Sequence, residues 1–354
     1  MQLVQASARI PGWRITLALA SVALLVSGCR VPGTGASDGG SAGSQTITVA
    51  VVSGARNAPL SLANAPLRVA VRDGLFRQRG LNVVIKSYRT LDGANGAMSA
   101  LGNGTAQIAS GDYTSFLYQQ ETGAMSLRLI ADGYDAVPNM MEILTLPGSH
   151  ITSPQQLAGA FVATPERVVS YGNRGNSTAT AALPYNIETL AAATVLRADG
   201  VSPSSVNWKP TPVANLISEL RHHQVGAILV PEPYVFEAES QLGAQELLDS
   251  CSGATTGLPL SGYFSLARFS DTHAAAIDAF RSALLQAQTD AAMRGPVQAV
   301  LPSATGMTAQ DAALVTLGTY PTSLSVGQVQ RVAQLMFDAG MIANTVNVKR
   351  LVTG

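Results

Sequence analysis

Residues 74–85 read GLFRQRGLNVVI, and this stretch decides the fold class. Gly74 can end a helix in the left-handed conformation, and Gly80 turns the chain into a β-branched run that predicts a strand. Upstream, residues 46–52 (TITVAVV) predict a short buried strand and residues 62–73 a helix. A strand, a helix and a second strand with short links are typical of parallel α/β proteins.

The same alternation continues along the chain and restarts after residue 140, which predicts a second α/β set. Helical segments dominate from residue 271 onward. The remaining predicted elements are strands at 106–109, 127–131, 140–146, 160–163, 206–209 and 225–230, and helices at 91–101, 112–122, 187–198 and 213–222.

Composition excludes several classes of function. The 354 residues carry 22 basic and 22 acidic side chains, so the formal net charge is zero and nucleic acid is not expected as a partner. Apolar residues make up 47% of the chain, enough for a large core. Cys29 and Cys251 cannot form a disulfide framework, and the four histidines do not have zinc-site spacing. We therefore expect neither a metal nor a cofactor.

The first residues have the pattern of an export signal. Arg9 and Arg14 precede an apolar run at 15–26, which is short for a membrane span but suits a signal peptide. The run ends in Val-Ser-Gly-Cys at 26–29, which resembles a bacterial lipobox. We expect residues 1–28 to be a signal peptide and Cys29 to carry the lipid. An ordinary secretory signal with an incidental cysteine is the alternative.

The residues that follow Cys29 are rich in glycine and serine, so residues 29–45 are predicted to be a flexible tether. The chain would then act outside the cytoplasm, held to the outer face of the cell membrane through a lipid on Cys29.

Several short motifs, taken in order, resemble a known family. They are GLF at 74–76 followed by GLNV at 80–83, GTAQIA at 104–109, ITSPQQLAG at 151–159, and QVGAI at 224–228 followed by EPY at 232–234. Their order and spacing over residues 46–265 resemble the extracytoplasmic solute-binding proteins of ABC importers. The most similar branch includes the nitrate-, alkylsulfonate/taurine- and thiamine-pyrimidine-precursor-binding proteins.

This resemblance implies the type II periplasmic-binding-protein fold: two α/β domains with mainly parallel sheets, joined by a two-crossing hinge, with the ligand in the cleft between them. Domain I would comprise residues 46–140 and 260–354, and domain II residues 141–259. It also implies a monomer that captures a small organic solute and delivers it to an ABC permease.

Ligands of open parallel sheets bind beyond the carboxyl ends of the strands, and that rule selects the candidate ligand-binding residues. The first-domain candidates are Asn57, Ser110, Gly111, Asp112, Tyr113 and Tyr134. The second-domain candidates are Arg174, Asn176, Ser177, Thr178, Glu232 and Tyr234, of which 176–178 match a Gly-Ser/Thr loop common in the family. The connection at 164–185 is longer than in the family. Asn57 as a plain turn, Asp112 as a helix N-cap and Arg174 as an exposed loop residue remain alternatives.

Two other functions remain open at this stage. The resembling fold family also contains enzymes, among them pyrimidine-precursor synthases, which would be expected to carry a histidine and cysteine cluster. Here His150 and His273 are isolated, and no nucleophile elbow or phosphate loop appears. A signalling lipoprotein without transport is the third alternative. Anions, sulfonates, aromatic acids and pyrimidines all suit some subset of the candidate residues.

Overall fold

The computed structural model describes residues 45–52, 61–166 and 186–352. Within these ranges the strands are β1 Gln45–Val52, β2 Leu81–Tyr88, β3 Ile108–Asp112, β4 Leu127–Asp135, β5 Met141–Thr145, β6 Phe161–Pro165, β7 Asn207–Thr211, β8 Ala227–Pro231, β9 Gln245–Asp249 and β10 Pro259–Leu266. The helices are α1 Ala65–Arg72, α2 Ala97–Gly102, α3 Tyr113–Glu121, α4 Ile187–Ala198, α5 Leu216–Arg221, α6 Tyr234–Leu242, α7 Ala267–Thr272, α8 Ala274–Ala291, α9 Gly295–Thr305, α10 Ala309–Leu314, α11 Val326–Asp338 and α12 Lys349–Val352.

The strands form two five-stranded sheets. The first sheet has the order β2-β1-β3-β10-β4, and the second has the order β7-β6-β8-β5-β9. In the first sheet β10 runs antiparallel to both of its neighbours, and in the second β5 does the same. The other four strands of each sheet share one direction. The predicted α/β fold with two mainly parallel sheets is therefore confirmed.

The chain crosses between the sheets twice, and we call these two crossings the hinge. Residues 136–140 lead from β4 to β5, and residues 250–258 lead from β9 back to β10. The crossings hydrogen-bond to each other: Ala136 N donates to Leu258 O at 2.9 Å, and Gly257 N donates to Ala136 O at 3.1 Å. Strands β5 and β10 begin directly after these crossings, and they are the two strands that run antiparallel to the rest of their sheets.

The best-defined elements are those in which the local sequence and the packing agree. In β1 the side chains of Ile47, Val49 and Val51 are fully buried, as expected for a β-branched central strand. Helix α4 spans the predicted residues, and the Asn186 side chain caps it by accepting a hydrogen bond from Thr189 N at 2.7 Å.

Several features differ from the sequence-based expectation. Strand β3 was predicted at 106–109 but runs from Ile108 to Asp112, so residues 110–112 belong to the strand. Helix α2 begins at Ala97 rather than at 91, because the chain turns tightly before it: a Cβ atom on Gly96 would lie 2.4 Å from the Asp92 carbonyl oxygen. Strands β9 and β10 were not predicted. Pairing with β10 extends β4 to Asp135, so residues 132–135 lie within a strand and not in a loop after it.

Candidate functional site

A cleft of about 340 Å³ lies where the carboxyl ends of strands from the two sheets face each other. From the first sheet it is lined by the end of β1 at Val52 and the end of β3 at Ser110, Gly111 and Asp112. From the second sheet it is lined by residues 165–166 at the end of β6 and by the start of α4. The volume falls in the range of small-molecule sites, about 300 to 1,000 Å³.

A hydrogen-bonded network lies beneath the first wall. The buried Ser110 hydroxyl bonds to the Tyr263 hydroxyl, which donates to Asn64 Oδ1 at 3.0 Å. Asn64 in turn donates to the Ser61 hydroxyl at 3.2 Å. Ser61, Asn64 and Ser110 all line the cleft, so these three polar groups are held in position by contacts within the protein.

The carboxylate of Asp112 has a structural role at the mouth of β3. It is the N-cap of α3, accepting from Ser115 N at 2.9 Å and from the Thr114 hydroxyl at 2.5 Å. The Ser115 hydroxyl lies 3.1 Å from Asp92 Oδ2 and 3.3 Å from Asp112 Oδ2, so two cleft carboxylates meet at one hydroxyl group. The N-cap alternative for Asp112 is thus realised at a position that also faces the cleft.

Glycine at 111 is explained by packing. A Cβ atom there would lie 2.6 Å from the Cδ atoms of Leu91, which also lines the cleft. The close approach of Leu91 to β3 therefore requires a residue without a side chain at this position.

The second wall is fixed by Asn186. Its side chain accepts from Thr189 N and donates to Pro165 O at 2.9 Å, which ties the end of β6 to the start of α4. Glu166 and Glu188 flank this tie and line the cleft. Five charged side chains line the cleft among the described residues: Arg89, Asp92, Asp112, Glu166 and Glu188.

Comparison with known proteins places this geometry in a family. The model of the NMT1-like family matches residues 60–295. The chain belongs to the NMT1-like family. The resemblance seen in the sequence motifs is therefore confirmed. A search of curated proteins gave no match.

Solved structures share the NMT1-like fold at low sequence identity. The periplasmic aliphatic sulphonate binding protein SsuA from Escherichia coli is 16% identical, with a TM-score of 0.66 over 87% of this chain and 97% of that chain. The periplasmic nitrate-binding protein NrtA from Synechocystis is 13% identical, with a TM-score of 0.62 over 87% and 84%. The desulfurization enzyme DSZB is 14% identical, with a TM-score of 0.63 over 87% and 96%. Binding proteins and an enzyme thus share this fold.

Two tyrosines predicted to contact a ligand lie in the core of the NMT1-like fold. Tyr113 is 0% exposed, its ring packs edge-on against Phe264 at 5.6 Å, and its hydroxyl donates to Asp132. Tyr134 is also buried. Strand β4 continues past the predicted strand end, so Tyr134 lies in the strand and is covered by residues far along the chain. Its hydroxyl accepts from Gly318 N at 2.6 Å. Neither ring lines the cleft.

Glu232 and Tyr234 lie beside the hinge and not in the cleft. Glu232 Oε1 accepts from Thr316 N at 2.8 Å, and Oε2 accepts from Phe236 N at 3.1 Å. Tyr234 is buried at the start of α6. Residues 316–320, which we call the strap, cover this end of the sheets and were not identified from the sequence.

The other candidates fall on residues that the structure does not describe. Asn57 follows β1 in segment 53–60, and Arg174, Asn176, Ser177 and Thr178 follow β6 in segment 167–185. Both segments begin directly after residues that line the cleft or its immediate edge, Val52 and Glu166. Cys29, the tether and the signal segment also lie outside the described residues. These assignments stay predictions.

Sequence reasoning missed cleft residues that the strand-end rule could partly have found. Asp92 comes shortly after β2, and Glu188 lies in the first turn of α4, which had been considered only as a helix. Ser261 could not have been found, because it lies on β10, which was not predicted.

A larger groove, about 520 Å³, lies at the opposite end of the strands of the second sheet. It is lined by Phe161, the first residue of β6, and by Gly226, which precedes β8. The groove thus lies at the amino ends of the parallel strands, with only the end of the antiparallel strand β5 beside it at Leu146, and every lining residue belongs to the second half of the fold, so no second sheet faces it. The smaller cleft is therefore the better candidate site, although Phe161 is 58% exposed in the groove.

Two further searches of the described residues gave no candidate. No cluster of three or more His, Cys, Asp or Glu side chains in these ranges is arranged to hold a metal ion. None of the helices in the described parts of the chain has both the length and the apolar composition of a membrane span.

Cys251 is fully buried, and burial raises the pKa of its thiol, with Asp249 acting in the same direction.

Proposed function

We propose that this NMT1-like protein is an extracytoplasmic, lipid-anchored solute-binding protein that captures a small organic solute in the cleft and delivers it to an ABC importer. The observation that carries the proposal is the cleft between the facing strand ends of the two sheets. Proteins of this fold whose names state an aliphatic sulphonate or nitrate ligand support a binding role.

The proposal includes two domains that move about the hinge. Domain I would comprise residues 46–140 and 260–354, and domain II residues 141–259. The sorting of strands supports this division, since β5 to β9 form one sheet and the remaining strands form the other. Within the cleft we propose Ser110, Asp112 and Asn186 as polar groups that face the solute.

A thermal-shift screen of the full chain in detergent tests the binding function. The library should contain nitrate, alkylsulfonates, aromatic acids and pyrimidines, the classes that the candidate residues leave open, and amines, which the carboxylates that line the cleft would suit. A solute at a hundred times its Kd stabilises the folded state by about 2.7 kcal/mol, which gives a clear rise in melting temperature. If none of these classes raises the melting temperature at millimolar concentration, binding of such solutes is contradicted.

Lipid anchoring is tested separately on the full chain expressed in a bacterium with lipoprotein processing. Cys29→Ser should release the protein from membranes or leave it unprocessed, because this residue alone in the predicted lipobox carries a thiol. Cys251→Ser is the matched control and should leave partitioning unchanged. A Cys29→Ser protein with wild-type mass and detergent partitioning would contradict the anchor.

An enzyme is the second candidate, since the desulfurization enzyme DSZB shares the fold. In the described residues the observation that bears on this choice is the state of Cys251, which is buried and has a raised thiol pKa, unlike a reactive cysteine. Incubating each solute that binds with the protein and analysing it by mass spectrometry distinguishes the two. Recovery of unchanged solute supports binding, and catalytic turnover supports the enzyme.

A further inference from the structure

The carboxylate of Glu232 joins parts of the molecule that belong to different sheets. Glu232 directly follows β8 of the second sheet, and its Oε2 accepts from Phe236 N in the first turn of α6. Its Oε1 accepts from Thr316 N in the strap, 84 residues further along the chain. Both oxygens are therefore bonded to backbone N–H groups, one on each side of the hinge.

The strap is held by the first sheet. Asp135, at the end of β4, pairs with Thr319 through two backbone hydrogen bonds of 2.9 and 3.1 Å. The rings of Tyr134 and Tyr320 lie 5.1 Å apart, and Gly318 is so close to β4 that a Cβ atom there would lie 2.5 Å from Asp135 O. The strap is therefore attached to β4 of the first sheet.

Position also separates Glu232 from the cleft. The cleft lies at the ends of β1, β3 and β6, whereas Glu232 follows β8 and its backbone N–H donates to Met140 O of the first crossing at 2.9 Å. On the other side of Glu232, a crevice of about 230 Å³ separates α6 from residues 305–311. Close packing therefore does not join α6 to the C-terminal helices there, and the carboxylate bond to Thr316 is a local tie across a gap.

Burial and charge are consistent with such a tie. Burial raises the pKa of Glu232, while the hydrogen bonds from Thr316 and Phe236 act in the opposite direction and favour the charged carboxylate. A hydrogen bond to a charged group is among the stronger ones in proteins. Here two backbone amides donate to the two oxygens of one carboxylate.

We propose that Glu232 is a latch that holds the two sheets in the arrangement seen here, by binding α6 on one side of the hinge and the strap on the other. The proposal rests on the proposed function, in which the two sheets move about the hinge. Loss of the latch should change the population ratio of cleft arrangements by roughly tenfold or more, the effect of one hydrogen bond to a charged group.

Distance measurement across the cleft tests the latch without any solute. Asn95 and Asn215 are exposed on either side of the cleft, next to lining residues, so spin labels on Asn95→Cys and Asn215→Cys report its opening. The labelled protein is the full chain in detergent, with Cys29→Ser so that Cys29 takes no label. Cys251 is buried and is therefore left in place. We expect Glu232→Ala to shift the mean distance by more than about 2 Å or to add a second distance population. Glu239→Gln removes an exposed like charge of α6 that acts on Glu232 but leaves both backbone bonds to Glu232 in place, so it should keep the wild-type distances.

A second variant separates the latch from simple capping of α6. Thr316→Pro removes both groups of Thr316 that hydrogen-bond to Glu232, the backbone N–H and the hydroxyl, and leaves the bond from Phe236 to Glu232 intact. The preceding Val315, with φ −54° and ψ 137°, already has a conformation that a following proline permits. The latch requires Thr316→Pro to change the distances as Glu232→Ala does.

Two outcomes overturn the proposal. If Glu232→Ala folds and keeps the wild-type distance distribution, Glu232 does not control the arrangement. If Glu232→Ala alters the distances but Thr316→Pro does not, Glu232 acts only through α6. Should Glu232→Ala fail to fold, Thr316→Pro alone decides. A chain that shows the distance change but binds no solute retains the latch and loses the proposed function, so the two failures are distinguishable.

Discussion

The two sheets approach each other at two places, the cleft and the hinge, and polar side chains follow the strands at both. At the cleft, Ser110 and Asp112 border open space. At the hinge, Tyr134 and Glu232 stand at equivalent strand ends, but the Tyr134 hydroxyl and Glu232 Oε1 accept hydrogen bonds from backbone amides of the strap. The rule that ligands bind beyond strand ends finds both places. Whether a strand end remains accessible depends on the chain segment that covers it.

The largest expected effect tests whether Tyr113 belongs to the buried layer or to the cleft. Tyr113→Ala should lower the free energy of unfolding by about 3 to 5 kcal/mol, because it removes a fully buried ring packed on Phe264. Urea unfolding measures this loss, and Tyr113→Phe should lose less because only the bond to Asp132 is removed. A stable Tyr113→Ala protein with weakened solute binding would instead assign this residue to the cleft.

Gly318 tests how tightly the strap covers the hinge. Gly318→Ala should destabilise the protein by about 1 to 3 kcal/mol, because the added methyl group would lie 2.5 Å from Asp135 O and 2.8 Å from Tyr134 Cζ. Gly327→Ala, at the second residue of α11, is the control: nothing lies within 4 Å of its added Cβ, so it should not destabilise the protein. Equal effects in the two variants, measured by thermal unfolding, would show that the strap is loosely packed.

The outcome for the sequence-based predictions follows the same division. Local sequence signals were sufficient where the residues of a single element specify its position. Asn186 and Asp112, for example, cap the helices that the sequence predicts to begin there. They were insufficient where a residue's surroundings come from distant sequence. The sequence predicts a loop at Tyr134, because its strand partner Ser261 in β10 is far along the chain and extends β4 only in the folded sheet. Glu232 was assigned to a ligand because no local pattern marks Thr316 as its partner.

A third experiment tests the burial of charge at the hinge by varying pH. Burial, followed by the nearby Asp132 carboxylate, raises the pKa of Asp135 from 3.8 to about 7. Among the described residues its Oδ1 atom has no hydrogen-bond partner. The folded chain therefore keeps a proton that the unfolded chain loses near pH 4, and the free energy of unfolding falls as pH rises from about 4 to about 7.

Asp135→Asn cannot ionise and should remove this part of the pH dependence. We expect the variant to be more stable than the wild type at pH 8, by an amount on the order of 4 kcal/mol for a pKa raised from 3.8 to about 7, and close to it at pH 4. Chemical denaturation at both pH values gives the difference. The same wild-type-to-variant difference at pH 4 and pH 8 would mean that this hinge carboxyl group is solvated like one at the surface.

The smallest effect on stability, and the most specific for the cleft, is expected at Asp112. Asparagine caps helices about as well as aspartate, so Asp112→Asn should retain the bond from Ser115 N and change stability by less than about 0.5 kcal/mol. It nevertheless removes a negative charge from the cleft wall. If the cleft holds the solute found in the thermal-shift screen, affinity should change about tenfold, which calorimetry resolves as about 1.4 kcal/mol.

A cap at another helix provides the control for Asp112. Thr308 caps α10 by accepting from Asp311 N at 3.0 Å, away from the cleft, so Thr308→Ala should cost about 1 kcal/mol of stability and leave affinity unchanged. Asp112→Ala should lose both stability and affinity, because it removes the cap and the charge together. If Asp112→Asn binds the solute within threefold of the wild type, the end of β3 does not contact the solute. The cleft would then resemble the hinge, with its polar groups serving only the fold.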